Sequence, residues 1–182
     1  MNTSTLTCGA IISAAHKLSV CKPGAAAPQR DREFLAVECA ASACRAARLV
    51  LSAQSNQADR AALGGALADV LVDALRLARM NNVNPGCLKE KESTIEEVQA
   101  AAQCEIFADP YDPVAPAMYL VAAYGPLCTG MTCQSPVNTV QVTFLLEVFI
   151  STAMLIANLT GVALEKHLPA ALAARGASLE AT

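Results

Sequence analysis

Over most of this chain apolar residues recur every three or four positions, the spacing that a helix gathers onto one face. From Arg32 to Ala53 the positions Phe34, Val37, Ala41 and Leu49 follow it, until the polar patch QSNQADR, 54–60, ends the pattern. A second helical stretch runs from about Arg60 to Met80 and stops at NNVNPG, 81–86, where Asn, Pro and Gly cluster. Two helices joined by a short polar loop predict an antiparallel hairpin. Further on, Ser93 precedes Glu96 and Thr94 precedes Glu97 by three residues, so either pair can form a capping box that opens a helix running to about Ile106. ADPYDPVAP, 108–116, carries three prolines and predicts a loop. A short helix over 117–124 follows, with a break at Gly125-Pro126 and an irregular stretch TGMTCQSP, 129–136. A long apolar helix then spans Asn138 to Leu159, Gly161 stops it, and a last helix through ALEKHLPAALAA is kinked or restarted by Pro169.

No run reads convincingly as a strand. Val140 to Ile150 is strand-like in composition, but it merges with STAMLIANL into a length that favours a helix. The fold class expected is all-α, a bundle built from antiparallel helix hairpins. An internal duplication is also open, because ADVLVDALRLARMNNV from 68 and LEVFISTAMLIANLTGV from 146 share an acidic residue, an apolar run and a later Asn. Residues 1–30 form an N-terminal segment and 31–182 a single helical domain. Within that segment CGAIISAAHKL reads as a first structural helix. The absence of Asp and Glu before residue 31, with Lys17, Lys22 and Arg30 present, gives it a transit-like character as well.

Composition changes the picture in four ways. The 182 residues suffice for one well-buried domain. Hydrophobic residues make up 54% and charged residues 16%, and a Trp-free, Ala-rich chain favours closely packed helices. A net charge of −3 and no clustered basic run set nucleic acid aside as a partner. The run Val142 to Val162 has the length of a membrane span, yet Glu147 and Asn158 interrupt it and no aromatic or basic belts flank it, so the expectation is a buried bundle helix that supports self-association. With no cleavable secretory signal evident, the expected location is cytoplasmic, with mitochondrial import the other destination the N-terminal segment allows. The eight cysteines are then read as small buried hydrophobes rather than disulfides. Zinc is disfavoured because His16 and His167 are the only histidines and no Cys-x-x-Cys pair occurs.

The candidate chemistry lies in ALADVLVDALRLA, 66–78. Asp69 and Asp73 stand one helical turn apart on one face, where like charges repel by about 0.2–0.5 kcal/mol. A divalent metal, an arginine from a facing helix, or water must offset that repulsion. In an antiparallel hairpin Glu38 approaches the same pair, and a cluster of carboxylates offers the hard oxygen ligands that Mg²⁺ takes. If Glu38 and Asp69 are buried without a metal, Arg45 or Arg48 are the partners to expect. Asp73, three residues before Arg76, also reads as a solvent-facing ion pair of small worth.

LAVECAASA, 35–43, followed by GALADVLVDALRLARMNNVN, 65–84, resembles the two-helix core of the all-α nucleoside triphosphate pyrophosphatases, the MazG-like group. The resemblance covers Phe34 to Lys91. It implies an oligomeric helical fold with Mg²⁺ as cofactor, a nucleoside triphosphate as ligand, Glu38 and Asp69 as metal ligands, and Asp73 as auxiliary ligand or water-orienting base. The family carries a pair of acidic ligands on each helix, whereas this chain has Ala41 and Ala66 where the second member of each pair belongs. One ligand of each pair survives, which implies a degenerate site and a weakly active or non-catalytic relative. The other expectation is an unrelated helical bundle acting as a structural or protein-interaction subunit, its carboxylates paired with arginines.

Overall fold

The computed structural model describes residues 6–18, 29–52, 57–88, 92–102, 112–132 and 138–176. Seven α-helices are found among them: α1 Cys8–Lys17, α2 Gln29–Ser52, α3 Gln57–Met80, α4 Ile95–Ala101, α5 Val114–Thr132, α6 Thr139–Leu159 and α7 Leu168–Ala174. Short 3₁₀ turns occupy Gly86–Leu88 and Leu164–Lys166, and no strand occurs among the described residues. The protein is an all-α helical bundle.

The hairpin expected of the first two long helices is α2 and α3, lying antiparallel. Arg32 donates to Asn81, Ser42 to Asp73, and Arg45 to Asp69, so positions rise on α2 as they fall on α3. These two helices, α6 and α5 pack in a ring, each against the next, with α5 closing on α2. Helices α1 and α7 cover α3, and α4 lies on α6.

Helix α3 is consequently enclosed: Leu63, Leu67, Val70, Leu71, Leu75 and Leu77 are buried on several sides of it. An apolar residue removed from water contributes about 1.5–3 kcal/mol, so this all-round burial, rather than one amphipathic stripe, holds the centre of the molecule. Helix α3 ends in a Schellman-type turn. Asn82 takes the left-handed conformation at φ 54°, and the amides of Asn82 and Val83 donate back to Arg79 and Ala78.

Several sequence expectations need correction. Helix α2 begins at Gln29, earlier than Arg32, and α4 stops at Ala101, where Ala102 turns extended, instead of reaching Ile106. Its capping box is the Thr94–Glu97 pair. The break expected at Gly125-Pro126 does not occur; α5 runs on through Pro126 to Thr132. Pro126 removes the amide that would bond the Ala122 carbonyl, and both residues are exposed, so water can serve the freed oxygen. At its start α5 also takes in the end of the expected proline loop. Asp112 accepts the Val114 amide at 2.9 Å, and Pro116 falls in the first turn, where a missing N–H costs nothing. The remainder of that loop, 108–111, and residues 133–136 of the irregular stretch lie outside the described residues.

Helix α6 matches its expected span and is long and apolar enough to cross a membrane, with 56% of its most apolar window buried inside the bundle. Leu146, Phe149, Ile150, Ala153 and Ile156 pack within the chain. Of the polar residues that interrupt it, Glu147 accepts the backbone amide of Gly86, and Asn158 is exposed. The N-terminal segment contributes α1, whose buried face of Cys8, Ile11, Ala14 and Ala15 joins the common core. Cys8 and Cys39 are buried and Cys87 is half-buried, as expected of small hydrophobes, but Cys44 is exposed; all four are free thiols. Cys21, Cys104 and Cys133 lie outside the described residues.

Candidate functional site

Asp69 and Asp73 face neither open water nor an empty cleft; they meet arginines. Arg175, just past the end of α7, reaches across α3 to both carboxylates. Its Nε and Nη2 donate to the two oxygens of Asp73 at 2.8 Å each, and its Nη1 donates to Asp69 Oδ1 at 2.6 Å. The two-point contact with Asp73 is the fork geometry in which a guanidinium matches a carboxylate best. From α2, Arg45 donates to the other oxygen of Asp69 at 2.6 Å. Arg76 donates to Asp73 Oδ1 at 3.2 Å and stands 3.6 Å from Glu38 Oε2. Ser42, buried on α2, completes the set by donating to Asp73 Oδ2 at 3.3 Å.

Local structure places each of these groups. The antiparallel α2–α3 hairpin aligns Glu38, Ser42 and Arg45, one helix turn or less apart, with Arg76, Asp73 and Asp69 on the opposite helix. Arg175 is delivered by the way α7 ends. Gly176 adopts φ 87°, a left-handed value that suits glycine. The amides of Arg175 and Gly176 fold back onto Leu172 and Ala173, and Arg175 Nη1 also donates to the Ala171 carbonyl at 3.0 Å. The α7 register is set in turn by His167, whose imidazole lies over Gly64 of α3 so closely that a Cβ there would fall 2.3 Å from Nε2.

The electrostatics balance. The carboxylates of Glu38, Asp69 and Asp73 bring three negative charges, and the guanidiniums of Arg45, Arg76 and Arg175 bring three positive charges. Asp73 is 1% exposed, so a burial penalty of several kcal/mol applies to its charge unless it is paired and hydrogen-bonded, as it is. Burial alone would lower the pKa of Arg175, but its hydrogen bonds to Asp73 and Asp69 outweigh this and raise it above the ordinary arginine value. Cys39, fully buried beside the cluster, has its thiol pKa pushed well up, first by burial and then by the charge of Asp73, with Arg175 opposing.

The three carboxylates singled out from sequence do lie along one α2–α3 seam, linked through shared arginines. Among the described residues, no group of three or more Asp, Glu, His or Cys side chains is placed to share a metal ion. Both oxygens of Asp69 and both of Asp73 already accept from guanidinium groups. As arranged, this donor set does not suit Mg²⁺, which would have to displace Arg175 and sit among the positive charges of three arginines. Of the two arginines expected as partners, Arg45 is in the cluster, while Arg48 is exposed. Arg175, the most extensively bonded member, was not anticipated. The signal for it was faint: a single basic residue closing an Ala-rich apolar helix before a glycine. Compared with protein-family models, curated proteins and solved structures, the chain matches none of them.

Proposed function

We propose that the protein is a non-catalytic helical bundle that acts by association, with the Asp69–Asp73–Arg175 cluster serving as an internal lock that fixes α7 onto α3. The observation that carries this reading is the full engagement of both aspartates by arginines at 2.6–2.8 Å, with charge balanced three against three. Such a cluster specifies one arrangement of three helices and leaves no carboxylate oxygen of either aspartate free for a dication. Association is supported by large apolar side chains left in water: Phe34 and Val37 one turn apart on α2, and Val140 and Phe144 one turn apart on α6. A second copy of the chain is the partner proposed, since a net charge of −3 opposes self-association only weakly.

Light scattering coupled to size separation tests this. A dimer or larger species is expected, shifting to monomer in a Phe34→Ser, Phe144→Ser variant. A wild-type chain that stays monomeric at every accessible concentration would overturn it.

A second reading is a degenerate member of the MazG-like pyrophosphohydrolases. What favours it is the position of Glu38, Asp69 and Asp73 along one seam of an antiparallel hairpin. Mg²⁺ supplies charge neutralisation and an activated water in such chemistry. In this chain Arg175 holds the two aspartates that would bind it, so this reading requires Arg175 to leave. Pyrophosphate release from nucleoside triphosphates, absent in wild type and gained in Arg175→Ala, would favour it over the first.

A further inference from the structure

Beside the last turn of α3, α1 and the turn after α3 border a hollow of about 560 Å³, open to solvent on one side. That volume is in the range of small-molecule sites. Three basic side chains line it: His16 and Lys17 from the last turn of α1, and Arg79 from the last turn of α3. Asn82 and Asn84 add amide groups, and among the described residues none that lines it is acidic. A cation near a helix C-terminus is ordinary stabilisation of the helix dipole. Here the terminal cations of two separate helices converge on one hollow, which dipole stabilisation of each helix does not require. The same lining also includes the apolar side chains of Ile12, Val83 and Leu88.

The walls are fixed from several directions. The N-terminus of α1 is capped by Thr7, which accepts the Ala10 amide at 3.3 Å. It is also stitched to the segment before α4, with the Cys8 amide donating to Ser93 O at 2.9 Å and the Ile95 amide to Leu6 O at 3.0 Å. On the other side the left-handed Asn82 reverses the chain so that residues 82–84 border the same hollow as Arg79. A preformed site of this kind binds without a large ordering cost.

The geometry points to a binding site for a small phosphomonoester, its phosphate held by Lys17, Arg79 and His16 and its apolar body laid against Ile12, Val83 and Leu88. Arginine and lysine are the side chains that recognise phosphate by charge-assisted hydrogen bonds, and the amides supply further donors. The site is separate from the aspartate cluster and does not rest on the reading of that cluster.

Isothermal titration of the full chain with phenyl phosphate and with inorganic phosphate, at ionic strength matched with chloride, tests the proposal. Phenyl phosphate is expected to bind, and more tightly than inorganic phosphate, because the latter lacks a body for the apolar side chains. Arg79→Gln is expected to weaken binding about tenfold or more. Lys17→Gln, at an exposed position that does not endanger folding, should weaken it in the same direction. Asp69→Asn should leave it unchanged, which separates this site from the aspartate cluster. No heat from either anion at millimolar concentration, or equal binding by wild type and Lys17→Gln, would overturn the site. Equal affinity for the two anions would overturn the phosphomonoester assignment in favour of free phosphate.

Discussion

Replacing Arg175 by Met keeps much of the side chain's apolar stem and removes four hydrogen bonds at once: two to Asp73, one to Asp69 and one to the Ala171 carbonyl. Breaking a buried ion pair by deleting one partner costs about 3–5 kcal/mol, because the other charge is left behind in a poor solvent. Two features reduce this. Asp73 keeps Arg76 and Ser42, and Asp69, 19% exposed, keeps Arg45 and some water. The expected loss is therefore about 2–3 kcal/mol, a large part of the roughly 5–15 kcal/mol that holds a domain folded. For a chain of this size it corresponds to a fall in Tm of about 4–12 °C. Urea unfolding of wild type, Arg175→Met, Asp73→Asn and the double variant gives the pairwise term directly. A coupling of about 1 kcal/mol or more is expected. If Arg175→Met lies within about 0.5 kcal/mol of wild type, or the two substitutions are additive, the lock does not exist and the argument from geometry fails.

Adjacent glycines in α3 should respond with opposite sign. Gly65→Ala, with nothing within 4 Å of the new Cβ, should stabilise by about 0.5–1 kcal/mol through helix propensity, whereas Gly64→Ala drives a Cβ into the His167 ring and should destabilise by about 1 kcal/mol, both read by thermal unfolding. Thr94→Ala removes the α4 capping box and should cost about 1 kcal/mol in urea unfolding, with Thr94→Ser recovering most of it. Cys87 has its thiol pKa pushed up to about 11, mainly by burial, against 9.0 for the free group. The unfolded chain therefore loses this proton first as pH rises. The contribution of Cys87 to stability should be full below pH 9.0 and fall between there and about 11, by about 2 kcal/mol, and Cys87→Ala should lessen the alkaline loss by that amount while the share from Cys39 remains.

How far the sequence foretold this structure depended on whether the deciding contact was local. The α2–α3 hairpin, the capped start of α4 and the span of α6 were all legible, because periodicity, a capping box and a glycine stop are encoded within a few residues. Pro126 misled for the same reason. Its local signal is helix-breaking, but an exposed position on an otherwise well-packed helix tolerates the lost bond. In the aspartate cluster, spacing marked Asp69 and Asp73 as a repelling pair to be offset by a metal, an arginine or water, and Arg45 was a candidate only on the condition of burial. The solvent-facing reading of Asp73 fails because that side chain is buried. Arg175 was not legible, since it lies 102 residues from Asp73 and no pattern within α7 says which helix that end will cross. The hollow beside α1 was invisible too. Its basic lining comes from residues 16–17 and 79, which read separately as ordinary helix-end cations.

The most direct test of the arginine lock is thermal unfolding of the wild-type protein in matched ionic strength, with and without Mg²⁺ and a non-hydrolysable nucleoside triphosphate analogue. A ligand that binds only the folded state raises the midpoint by mass action. With Asp69 and Asp73 engaged by arginines, no part of any rise should require the metal, and an anion held at the basic hollow should act equally with and without it. A rise that appears only with metal and nucleotide together, and vanishes in Asp69→Asn, would contradict the lock and restore the carboxylates as a metal site.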